Sequence, residues 1–190
     1  MEQNENAKRG FQDLEILHSY GGDVPVELLQ KCLSNPSQFI RVIAIEQVSD
    51  YCRQDFTGTF AMALNDRCDY VIQEAAQSLA KINTDEALET LSNAFFEGSI
   101  ERPHHIANAI SQFGQRGFEV LLKGTKNTSP NIRYYSAKLL GSTGIESAMI
   151  ILEEIANKDD EKTTFTALVS SGARKGIKTL SKILAKKTDR

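Results

Sequence analysis

Apolar side chains recur at helical spacing along the 190 residues of the chain. The clearest stretch runs from Val71 to Glu97. Ala75, Ala76, Leu79 and Ile82 mark one face of a first helix, and Ala87, Leu88, Leu91, Ala94 and Phe95 mark one face of a second. Between them lies the polar break Asn83-Thr84-Asp85-Glu86. It predicts an N-cap side chain for a free amide and first-turn carboxylates that complement the positive end of the second helix. The stretch reads as a helical hairpin.

Both core positions recur. The place of Leu79 is taken in turn by Leu17, Val48, Leu79, Ile110, Leu140 and Leu168, at steps of 31, 31, 31, 30 and 28 residues. The place of Leu91 is taken by Leu29, Phe60, Leu91, Leu121, Leu152 and Leu180, always 11 or 12 residues behind its partner. Two apolar series in phase predict an all-α chain built as a right-handed α-solenoid of six helical hairpins, over about 11–34, 35–66, 67–98, 99–127, 128–158 and 159–188. Residues 11–190 are expected to form a single domain. The polar residues 1–10, ahead of the first apolar series, are expected to be loose.

Local signals agree with this division. Ala44, Ala75, Ala76, Ala107, Ser136 and Ala137 precede the large residue of the first series by one turn, which predicts close approach of neighbouring helices. Gly21, Gly114, Gly144 and Gly172 fall where first helices are expected to end, as residues that accept left-handed geometry do. Pro25, Pro36, Pro103 and Pro130 fall at or near helix starts, where a missing amide costs little.

Ser129-Pro130-Asn131-Ile132-Arg133 followed by Ser136-Ala137 resembles the Asp-Pro-x-Val-Arg-like turn that opens short HEAT-like repeats of the phycobilin lyase type. Asn35-Pro36 and Ile40-Arg41 before Ala44 are similar. The resemblance spans the chain as a period and about two units as a motif: Val71-Ile72 lacks the arginine, and Pro103 stands in its place. It implies that second helices line a concave binding face. Lyases, adaptors, chaperones and other binders share such units, so the architecture alone selects no activity.

Composition adds constraints. Apolar residues make up 41% and charged residues 25%, as in an ordinary globular chain. No apolar stretch approaches the roughly 20 residues that span a bilayer, and Met1 to Gly10 lacks the apolar centre of a signal peptide, so a soluble cytoplasmic protein is expected. Cys32, Cys52 and Cys68 lack zinc-ligand spacing and are expected to be buried free thiols. The net charge of −3 conceals an asymmetry: residues 162–190 carry eight Lys or Arg against Asp189 alone. An acidic body ends in a basic tip.

On a helical wheel centred on the Leu91 series, the side chains two before, two after and five after point away from the core. They are Glu27, Lys31 and Ser34, then Met62 and Asn65, then Glu89, Asn93 and Phe96. Glu119, Lys123 and Lys126 follow, then Ile150, Glu154 and Asn157, then Lys178, Lys182 and Ala185. Met62, Glu89, Asn93, Phe96, Glu119, Lys123 and Glu154 are the candidate partner-binding residues, with Phe96 as apolar anchor. Packing against an adjacent helix is the plainer role for Met62, Phe96 or Ile150. The basic tip comprises Arg174, Lys175, Lys178 and Lys182, with Lys186 and Lys187 beyond. A solvated face on a terminal capping helix explains it most simply. Without Trp, Tyr or Phe among these residues, nucleic acid is set aside as a partner.

Candidate chemistry is sparse, and a non-catalytic role is favoured. His104 and His105 are adjacent on a helix, where side chains diverge by about 100°, so neither a metal site nor a catalytic residue is assigned. No His-Glu dipeptide, phosphate loop, nucleophile elbow or zinc spacing is present. No cofactor is expected. The function expected is a protein-binding scaffold or adaptor. The alternatives are a phycobilin-lyase-like bilin binder, which would need an aromatic-lined groove, and an immunity protein or inhibitor of a basic toxin or enzyme.

Overall fold

The computed structural model describes residues 2–51, 53–97 and 103–188, with side chains from residue 8 onward. Cys52 lies outside them. Among the described residues the chain is all-helical, with eleven α-helices and no strand. It divides into two compact units, Met1–Thr90 and Leu91–Arg190.

In the first unit α1 (Glu2–Tyr20) packs on α2 (Val26–Leu33) and α3 (Gln38–Val48), and α3 packs on α2 and α5 (Asp69–Ile82). Helix α4 (Thr57–Ala63) packs on α2 and α5. The core holds Leu17, Leu29, Val48, Phe60 and Leu79, each no more than 1% exposed. Burying each such side chain contributes about 1.5–3 kcal/mol. Helix α1 starts at Glu2, well ahead of Phe11, where the first apolar series suggests a start. Ala44, Ala75 and Ala76 are fully buried between helices. Asn83 ends α5 at φ +54°, and Thr84 Oγ1 accepts the Ala87 amide at 3.2 Å, which caps the next helix, α6 (Asp85–Glu97).

Arg41, on α3, is the most buried of the described charged side chains. It forms a two-pronged ion pair with Asp66, Nε to Oδ2 at 2.7 Å and Nη2 to Oδ1 at 2.8 Å. Its Nη1 donates to the carbonyls of Asn35 and Pro36 at 2.9 and 3.0 Å. Arg41 thus ties the turn before α3 to the loop after α4.

The second unit holds the later half of α6, then α7 (His104–Ser111), α8 (Gln115–Gly124), α9 (Pro130–Leu140), α10 (Ala148–Lys158) and α11 (Val169–Thr188). Helix α8 packs on α7 and α9, α7 also packs on α9, and α11 packs on α9 and α10. Leu91, Ile110, Leu121, Leu140, Leu152 and Leu180 are completely buried. Gly144 takes the left-handed conformation expected of it, at φ +69°, and Gly114 and Gly21 also have positive φ, at +59° and +56°.

Residues 159–188 differ from the expected hairpin. Residues 159–168 form a connector with one isolated antiparallel bridge, Lys162 to Leu168, and α11 is a single helix of 20 residues. Leu168 is only half-buried and precedes the helix. Gly172 ends no helix. It lets α11 approach α9, since a Cβ there would lie 2.7 Å from the Tyr134 carbonyl oxygen. Gly176 and Gly141 serve the same crossing: a Cβ on Gly141 would overlap the Gly176 backbone, and one on Gly176 the carbonyl of Ala137.

Candidate functional site

The outward positions of the second helices are in solvent. All of the residues placed on that stripe are exposed except Phe96, which is half-buried. Met62 and Glu89 belong to the first unit; Asn93, Phe96, Glu119, Lys123 and Glu154 belong to the second.

In the first unit Met62 projects from α4 with 67% of its surface exposed, against an apolar norm of burial for so large a side chain. It borders a small cleft of about 120 Å³ whose lining includes Gln30, Thr59, Ala63 and Asp66. Gln30 Nε2 donates to Thr59 Oγ1 at 3.3 Å, which links α2 to α4 across the cleft floor.

In the second unit the helices bring Phe96 and Lys123 together. The Lys123 ammonium lies 5.2 Å from the centroid of the Phe96 ring, a cation–π contact between α6 and α8. Phe95 anchors the pair from below: its ring is buried and 5.3 Å from that of Phe96. Phe96 is thus held at the surface rather than displayed fully, because Lys123 covers part of it. Glu119, one turn before Lys123 on α8, accepts from Gln115 at 3.3 Å. On α10, Ile150 is 75% exposed, and Glu154 pairs with Lys158 at 2.8 Å. That hydrogen bond holds the Glu154 carboxyl below the usual range, with a smaller push in the same direction from Lys126.

The basic tip is exposed at Arg174, Lys175, Lys178 and Lys182. Arg174 Nη2 donates to the Ala156 carbonyl at 3.1 Å. Lys175 Nζ donates to the Tyr134 hydroxyl at 2.8 Å and sits 5.4 Å from the centre of that ring. Aromatic side chains therefore do meet the basic cluster, supplied by α9 rather than by α11.

Tyr134 opens onto a cleft of about 360 Å³ that it shares with His104, Tyr135, Lys138, Thr163, Phe165 and Ala167. Sequence reading missed this cleft, whose residues come from α7, α9 and the connector. The rings of His104 and His105 lie 3.7 Å apart, where divergence was expected. They occupy the first turn of α7, where no preceding turn restricts the side chains. No group of three or more His, Cys, Asp or Glu among the described residues is arranged to hold a metal.

Cys32 and Cys68 are buried and unbridged. Burial, reinforced by the Asp13 carboxylate, pushes the Cys32 thiol up to about 11, which suits a core side chain and not a nucleophile.

No protein-family model and no curated protein matches the chain. Among solved structures, it is similar to a crystal structure of an engineered protein, at 18% identity and a TM-score of 0.41, over 90% of this chain and 88% of that one.

Proposed function

We propose that the chain is a right-handed α-solenoid of HEAT-like helical pairs that works in the cytoplasm as a non-catalytic protein-binding scaffold. The observation that carries this reading is the exposure of Met62 and Ile150, at 67% and 75%, on helices whose opposite faces are buried. Large apolar side chains displayed among polar ones are what a protein interface uses as anchors, surrounded by a rim that excludes water. Within the second unit Asn93, Glu119 and Glu154 are exposed polar positions, and the Phe96–Lys123 contact adds an apolar point with a charge beside it. Glu89 extends the same outward stripe along α6.

Affinity capture of the full chain from a lysate of its source, with quantitative mass spectrometry, tests the proposal. A stoichiometric protein partner is expected, reduced at least about tenfold by Met62→Asp, Ile150→Asp or Phe96→Ala, as loss of an interface anchor requires. Capture that all three variants leave unchanged, with thermal stability also unchanged, would sink it.

Bilin binding is favoured by one observation, the aromatic lining of the cleft at Tyr134, Tyr135, His104 and Phe165. Titration with biliverdin separates it from the scaffold reading: a red-shifted absorbance lost on Phe165→Ala would support a pigment site.

A further inference from the structure

We infer that the second unit carries a binding surface for single-stranded nucleic acid, in which the aromatic cleft seats a base and a row of lysines on α11 takes the neighbouring phosphates. This surface is independent of the outward positions on α6, α8 and α10.

Single-strand sites combine a cationic track with rings on which bases stack. The rings are in place. Tyr134 is buried and fixed by Lys175, and Tyr135 stands edge-on to it at 5.0 Å and 89°. The His104 ring lies 5.9 Å from that of Tyr135, inclined by only 31°. Tyr135 and His104 are half-buried and Phe165 is 41% exposed, so part of each residue reaches the surface. Lys138 adds a cation 5.9 Å from the Tyr135 ring, at the rim of the same cleft.

The track begins at Lys175, which bonds the hydroxyl of Tyr134, one of the residues lining the cleft. Lys178, Lys182 and Lys186 follow Lys175 by 3, 7 and 11 residues, which places all four in one row of the helix. At about 1.5 Å per residue the row runs for roughly 16 Å, in steps of about 4.5–6 Å. Helix α11 contains no Asp or Glu, and Lys178, Lys182 and Lys186 form no ion pair with a described residue.

The acidic groups at the start of the connector are already engaged. Asp159 and Glu161 pair with Arg133, and Asp160 accepts from Ser170. A small pigment would use the cleft alone and leave the row idle, whereas an anionic lipid surface would use the row alone and leave the rings idle. A polynucleotide single strand accounts for both.

Fluorescence anisotropy of the full chain with fluorescein-labelled oligothymidylate of about 12 nucleotides tests the inference, since single-strand sites span about 4–16 nucleotides. Micromolar binding is expected, at least about tenfold tighter than to a duplex of equal length. Lys178→Glu with Lys182→Glu should weaken it at least about tenfold and lower the slope of log affinity against log salt by more than about 1. Phe165→Ala and Tyr135→Leu should each weaken it about fivefold or more without altering that slope, the range of a lost stacking contact. Circular dichroism confirms that each variant is folded.

Absence of oligothymidylate binding at about 100 μM protein would overturn the inference. So would binding that survives both ring variants, or that the charge reversals leave intact. Tight association with vesicles containing about 30% phosphatidylserine, without oligothymidylate binding, would reassign the row to a lipid surface.

Discussion

Arg41 and Arg133 stand at equivalent places, each six residues after an asparagine whose carbonyl it binds, and each reaches a carboxylate 25 or 26 residues downstream. Even the accessory bonds repeat. Asp66 accepts the Cys68 amide and Asp159 the Glu161 amide, both two residues on, while Asn35 and Asn127 accept the amides of Ser37 and Ser129. The surroundings differ. Arg41 is 4% exposed and Asp66 14%, and the pair joins α3 to the loop after α4 in the first unit. Arg133 is 12% exposed and divides its donors between Asp159 and Glu161, the latter 61% exposed. Hydrogen bonding to Asp159 first, then to Glu161, raises the Arg133 pKa further above its ordinary value. One arrangement thus serves two ends: a buried clamp between α3 and the loop after α4, and a wetter one that holds the irregular connector before α11.

The largest effect is expected at the buried clamp. Arg41→Ala leaves Asp66 largely shielded from water with a single amide donor and frees two backbone carbonyls, so urea unfolding should show a loss of about 3–5 kcal/mol. A loss under about 1 kcal/mol would mean that the pair does not hold the first unit together. Gly176→Ala comes next. The added Cβ meets the Ala137 carbonyl and Leu152, and backbone cannot yield as a flexible side chain would, so the cost should be about 1–3 kcal/mol. If the variant matches the parent, α9 and α11 do not cross as closely as these glycines imply.

At the wetter clamp the global effect should be smaller and the local one clearer. Arg133→Gln should cost about 1–2 kcal/mol, because Glu161 and in part Asp159 regain water when the guanidinium is lost. Hydrogen exchange should quicken at Thr163, Val169 and Ser170, whose amides close the connector onto Ala167, Glu161 and Asp159. Equal quickening throughout the second unit would show instead that Arg133 supports the whole unit, as Arg41 does the first.

The helical period was legible because burial imposes it: eleven of the twelve positions in the two apolar series are no more than 1% exposed. The outward stripe was legible for the same reason, being the complement of that burial, and Phe96 departs from it where Lys123 and Phe95 lie near its ring. The exception in the core, Leu168, marks where periodicity misled. Spacing assigned it to a helix, but glycine has two uses, and at Gly172 and Gly176 the need was close approach and not a left-handed turn. Partners distant in sequence were also hidden. Nothing near Arg41 or Arg133 singles out Asp66 or Asp159 among the acidic residues, and nothing in the lysine-rich α11 announces that Tyr134 will meet Lys175. Ring and charge patterns that arise from packing between elements are invisible to a search within one element.

The smallest effect expected is a gain, and it sharpens the contrast between glycines. Gly58 sits exposed in α4, where an added Cβ would meet nothing within 4 Å, unlike Gly141, Gly172 and Gly176. No positive φ requires glycine there. Its cost is the freedom it leaves to the unfolded chain, so Gly58→Ala should raise stability by about 0.4–1 kcal/mol, and less if the first turn of α4 frays. Comparing it with Gly176→Ala under the same denaturant isolates the crossing of α9 and α11 from general helix propensity, since propensity favours alanine in both helices. Opposite signs at the two sites are therefore the expected result. A loss at Gly58 would mean that α4, the shortest α-helix among the described residues, depends on contacts its glycine alone permits.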